Sequence, residues 1–139
     1  MKKLKIALII LAAVIIAIQF IPVNRTNPPV TAGLDAPMEV ISVFKKSCYD
    51  CHSNETAWPW YSNIAPVSWL IASDVKDGRL HLNFSQWENF SRKDIVKMKE
   101  EIWEEIEDGK MPLSKYIFMH PEAELDQKEK DLIKAWAGE

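Results

Sequence analysis

The chain has only two cysteines, separated by two residues and followed at once by a histidine: Cys48-Tyr49-Asp50-Cys51-His52. A bridge between them would close a loop too short to staple a fold, because the entropic gain of a cross-link grows with the loop it closes. Their value is therefore chemical. The C-x-x-C-H order is the pattern of c-type haem attachment. Two thiols at this spacing match the two vinyl groups of one macrocycle, and His52 is then carried under the iron as the proximal ligand. A thioredoxin-type redox pair would normally sit beside a βαβ pattern, and none is legible. A zinc site would need a fourth ligand or an open position, and Cys48, Cys51 and His52 are cramped for a tetrahedron. The expected cofactor is one covalently attached haem c.

The N-terminus sets where such chemistry would happen. Lys2, Lys3 and Lys5 precede a run from Ile6 to Val23 that is apolar except for Gln19. Eighteen helical residues at about 1.5 Å each span roughly 27 Å, close to the hydrocarbon thickness of a bilayer. Lysines before such a span stay cytoplasmic, which sends the rest of the chain across. Residues 1–23 are thus expected to form an uncleaved, single-pass transmembrane anchor. A cleaved signal peptide is the alternative, but its apolar region would be shorter and would end in small residues. Residues 24–34, with Pro28 and Pro29 and no periodicity, read as a linker, which leaves 35–139 for the folded domain.

That domain is of marginal size for a self-sufficient core, but six Trp, five Phe and three Tyr supply bulky apolar surface. A net charge of −3 gives no reason to expect nucleic acid as a partner. The periodicity is helical throughout. Asp35 and Pro37 can open a helix that presents Val40, Ile41, Phe44 and Cys48 on one face and delivers the cysteines at its end. Pro66 can open a second, carrying Val67, Leu70, Ile71 and Val75 to a stop at Gly78. Residues 81–89 read as irregular or a single turn. Ser91 with Asp94 caps a third helix, striped by Ile95, Met98, Ile102 and Ile106 and ended by Gly109. Residues 110–125 read as a loop, and Asp126 with Glu129 caps a terminal helix that turns Leu132, Ile133 and Trp136 inward. The fold class is all-α: a small cytochrome c-like helical domain around one haem, preceded by the membrane helix.

Several runs around the cysteine motif resemble the bacterial haem-binding domain family. They are Ser47 to Asn54, Trp58-Pro59-Trp60-Tyr61, Ile64 to Leu70, Gly78 to Ser85, and Gly109-Lys110-Met111-Pro112. The resemblance spans Asp35 to about Trp136. It implies a monohaem c-type domain exported by bacteria, here from the inner membrane into the periplasm, and it implies no substrate.

A low-spin carrier needs a sixth ligand, and Met111 is the expected one: Gly109 has ended the preceding helix and Pro112 stiffens the chain after it, so the thioether can be offered from a loop. His81 is the alternative. Met98 and Met119 read as packing, and His120 as a turn residue. Trp58, Trp60, Tyr61, Trp69 and Phe84 read mainly as core, and Arg79 as a solvated cation. The acidic run from Glu100 to Asp108 reads as a solvated helix face that could also dock a basic partner. The expected function is single-electron transfer to a redox protein or membrane respiratory complex, without enzymatic activity. A gas or redox sensor, a peroxidase-like enzyme with a displaceable distal ligand, and an accessory subunit of a membrane complex are the alternatives.

Overall fold

The computed structural model describes residues 1–138 and is helical throughout. Seven α-helices are formed: α1 (Lys2–Ile18), α2 (Met38–Ser47), α3 (Tyr49–His52), α4 (Val67–His81), α5 (Arg92–Glu107), α6 (Ser114–Met119) and α7 (Gln127–Ala137). Single 3-10 turns cover Trp60–Asn63, Trp87–Asn89 and Pro121–Ala123. Among the described residues there is no strand, only an isolated bridge between Ala32 and Gln86.

Two of the predicted caps are made, at α5 and α7, whereas α2 starts after Pro37 with no side-chain cap from Asp35. The Ser91 hydroxyl accepts from the Asp94 amide at 3.2 Å. At α7 the box is complete: the Asp126 carboxylate accepts from the Glu129 amide, and the Glu129 carboxylate from the Asp126 amide. Each such cap satisfies an amide that the helix itself cannot, at a gain of about 1 kcal/mol.

The core is an aromatic stack. Phe84, 1% exposed, lies between Phe44 (centroids 4.9 Å apart) and Tyr49 (5.2 Å). Trp87 and Trp136 extend the cluster, and Ile106 and Ile133 close it from α5 and α7. This packing joins α2 and the first residue of α3 to the loop after α4. Lys46 ties α2 to α7 by reaching both carboxylate oxygens of Glu129, at 2.6 and 2.7 Å.

Three sequence expectations are corrected here. First, the N-terminal helix ends at Ile18, not Val23, because Pro22 restricts the chain before it and the Gln19 side chain turns to the domain. Its seventeen residues span about 26 Å, and among the described residues no helix is long and apolar enough to cross a membrane. The expected transmembrane helix becomes a shorter apolar one with no buried residue. Second, α4 runs through Gly78 to His81; this glycine has ordinary helical backbone and serves close packing instead. Third, the loop over 110–125 contains α6, fitted between Pro112 and Pro121, and a 3-10 turn that Pro121 opens.

Residues 24–34, read as a linker, are bonded along the domain. Arg25 donates to the Ser62 carbonyl. Asn27 donates to the Thr56 carbonyl and accepts from the Trp58 indole. The Thr31 and Ala32 amides both donate to the Ser85 carbonyl.

Candidate functional site

The helical path breaks at Cys48 (φ −129°, ψ −32°), between α2 and the single turn of α3. The Cys48 amide still reaches the Phe44 carbonyl at 2.8 Å, and the His52 amide reaches the Cys48 carbonyl at 2.9 Å. The cysteines are therefore presented on a turn anchored at both ends. Tyr49 faces the aromatic core, while Cys48, Cys51 and His52 line a cavity of about 720 Å³. That volume falls in the range of about 300–1,000 Å³ expected of a cofactor pocket. The two thiols are not joined. Burial, with the neighbouring Cys51, pushes Cys48 up to about 12; burial, with Asp74 and Asp50, pushes Cys51 up to about 11.

His52 is fixed by what its ring bonds to. Nδ1 lies 3.0 Å from the Gly78 carbonyl and 3.3 Å from the Leu82 carbonyl. Carbonyls only accept, so Nδ1 carries the proton and Nε2 keeps its lone pair. Burial lowers the imidazole's affinity for a second proton, against the two carbonyl bonds that raise it. A neutral ring with one free nitrogen is what metal ligation requires.

The close approach of α4 depends on Gly78. A Cβ there would stand 2.6 Å from the Cys51 carbonyl oxygen, so only glycine lets α4 bring its carbonyls to His52. The opposite side of the motif is held through Asp50. Its carboxylate accepts from the Ala57 amide at 2.9 Å and from the Tyr116 hydroxyl at 2.7 Å. The Tyr116 hydroxyl is pushed well above its ordinary value by burial and by this bond.

The remaining walls come from α4, α5 and the segment from Met111 to Tyr116. Met111 lines the cavity, as do Met98, which the sequence assigned to packing, and the exposed His81. His120 is turned elsewhere: its Nε2 meets the Tyr61 hydroxyl at 2.6 Å, and its ring stacks on Tyr116 with centroids 4.5 Å apart. Met119 and Phe118 are exposed and Trp60 is 74% exposed, so these do not serve the core. Arg79 is no free cation. It donates to the carbonyls of Ser53 and Thr26, to the Asn27 side chain and to the Thr56 hydroxyl, all at 2.7–2.9 Å. Residue spacing alone carried no signal for this knot, or for the Tyr116–Asp50 bond. Gly78 was visible as a glycine inside an apolar helical pattern, which can mark a close approach as well as a stop.

Among the described residues no three His, Cys, Asp or Glu side chains converge as a metal-holding cluster. An iron here would need most of its ligands from a macrocycle. The residues fit one. The Ser47 hydroxyl, on the cavity wall beside Cys48, is buried with no hydrogen-bond partner, and Met98, Ile102, Ile106 and Leu113 supply an apolar wall for a flat macrocycle. An apolar cavity with a ligand-ready imidazole and two adjacent thiols defines a helical protein built around haem. The family model for haem-binding domains matches residues 13–139, and the chain belongs to that family. Neither a curated protein nor a solved structure matches it.

Proposed function

We propose that this chain is an exported monohaem c-type cytochrome, held at a membrane by α1, that passes single electrons to a redox protein or a respiratory complex. The observation that carries this reading is the shared cavity of Cys48, Cys51 and His52, with Nδ1 of His52 committed to two carbonyls. Haem bound there would supply one-electron chemistry at its iron. Cys48 and Cys51 would hold it through thioether bonds, and His52 would offer Nε2 as the proximal ligand. The carbonyls of Gly78 and Leu82 keep that ring in one tautomer and one orientation. Met111 is the best distal candidate, since it lines the same cavity from outside the helices; His81 is the second. Membrane association is supported by the exposed apolar side chains of α1 and the lysines that precede them. The carboxylates of Asp77, Glu101 and Glu104 at the cavity favour a basic partner.

The test is expression of the full chain with a cytochrome c maturation system. Haem that survives acid acetone, together with the added mass on the peptide carrying Cys48 and Cys51, is the expected result. Complete stripping of the haem refutes covalent attachment.

A further inference from the structure

We propose that the uncharged corner formed by residues 57–73 is a second membrane contact, which lays the domain against the lipid interface beside α1. The proposal rests on the reading of α1 as membrane-held and adds a face of the folded domain to it.

Gln19, the first residue after α1, is bonded in both directions to Ala65. Its Nε2 donates to the Ala65 carbonyl at 3.1 Å, and its Oε1 accepts from the Ala65 amide at 2.9 Å. This paired bond brings the exit of the apolar helix to the turn between the 3-10 turn at Trp60–Asn63 and the start of α4. Around that point Phe20, Ile21, Trp60, Ile64, Val67 and Leu70 are all exposed, Leu70 by 62%.

Single exposed apolar residues are ordinary on any protein. What sets this corner apart is charge. Between Ala57 and Ser73 there is no Asp, Glu, Lys, Arg or His, in a chain that is 27% charged. Of the aromatic side chains in this stretch Trp60 is 74% exposed, while Trp58, Tyr61 and Trp69 are half-buried behind it; tryptophan is a side chain that settles at the headgroup level of a bilayer. A water-facing surface has no use for such a composition, whereas an interfacial one gains from each buried apolar group. Arg25, bonded to the Ser62 carbonyl, adds one cation at the edge, suited to lipid phosphate. Continuity with α1 makes lipid the occupant rather than a second copy or another protein. The same helix, α4, starts at this corner with Val67 and reaches the cavity wall at Asp74, Asp77 and Gly78, so the contact would also orient the cavity relative to the lipid.

The test uses the haem-loaded full chain in phosphatidylethanolamine–phosphatidylglycerol vesicles doped with a lipid bearing a diazirine near its headgroup. After illumination, labelled peptides are mapped by mass spectrometry. Labels on α1 and on residues 60–70 are expected. Trp60→Ser with Leu70→Ser should abolish labelling of the domain while α1 labelling and the haem spectrum persist. Labels confined to α1 overturn the second contact and leave the reading of α1 standing. Absence of label from α1 as well overturns both. Chain-to-chain cross-links through residues 60–70, in place of lipid labels, would make the corner a self-association face and also overturn the proposal.

Discussion

Nδ1 of His52 and the carbonyl oxygen of Gly78 lie 3.0 Å apart. One residue of α4 thereby orients the imidazole with its carbonyl and admits the backbone of Cys51 with its missing side chain. Gly78→Ala should force α4 away from α3. Overpacking of this kind costs about 1–3 kcal/mol, to be read from urea unfolding. It should also broaden or shift the haem Soret band, since the ring orientation moves with the carbonyl. A variant as stable as the parent with an unchanged spectrum would show that the contact relaxes freely.

As the proposed sixth ligand, Met111 would close the iron. A thioether is a soft ligand that raises the potential relative to two histidines. Met111→Ala should open the sixth position, drive ferric iron toward high spin, lower the potential, and let the reduced protein bind carbon monoxide readily. His81→Ala should leave the low-spin spectrum in place. The reverse pattern would make His81 the ligand, and rapid carbon monoxide binding by the parent would favour a sensor or enzyme.

Tyr116 holds α6 to the cysteine motif through Asp50 at 2.7 Å. Removing the hydroxyl in Tyr116→Phe leaves one carboxylate oxygen to find water in a half-buried place, at a cost of roughly 1–2 kcal/mol. Asp50→Ala also loses the bond from the Ala57 amide and should cost more, and the double variant should fall short of the sum because both changes remove the Tyr116–Asp50 bond. Thermal unfolding of the three variants measures the coupling.

The helices that carry their own punctuation were legible in advance. Ser91 with Asp94 and Asp126 with Glu129 announce α5 and α7 because capping is a local affair between residues three apart. The C-x-x-C-H run is local in the same sense, and it placed Cys48, Cys51 and His52 together, as the shared cavity does. What the sequence concealed depends on distant partners. α6 has no side-chain cap and sits between two prolines, so only its packing under Asp50 reveals it. Trp60 and Met119 read as core because apolar character does not say which way a side chain faces. The linker reading failed to anticipate that polar side chains of 24–34 would bond to loops far along the chain.

Arg79→Ala should release that segment. Four bonds are lost, two of them to residues 26 and 27, and the loss of a guanidinium bonded mainly to neutral acceptors should cost roughly 2 kcal/mol. Limited proteolysis is the direct measurement: cleavage within 24–34 should accelerate strongly, with little change in the helices beyond. Equal cleavage rates in parent and variant would mean that Arg25 and Asn27 hold the segment unaided.

Arg79 also sets an order of events. It gathers residues on both sides of the cysteine motif, Thr26 and Asn27 before it and Ser53 and Thr56 after it, yet it follows Ser53 by 26 positions. A chain that emerges N-terminus first delivers Cys48 and Cys51 well before the side chain that closes the knot around them. The knot therefore closes only after both flanks of the cysteine motif and most of α4 are in place.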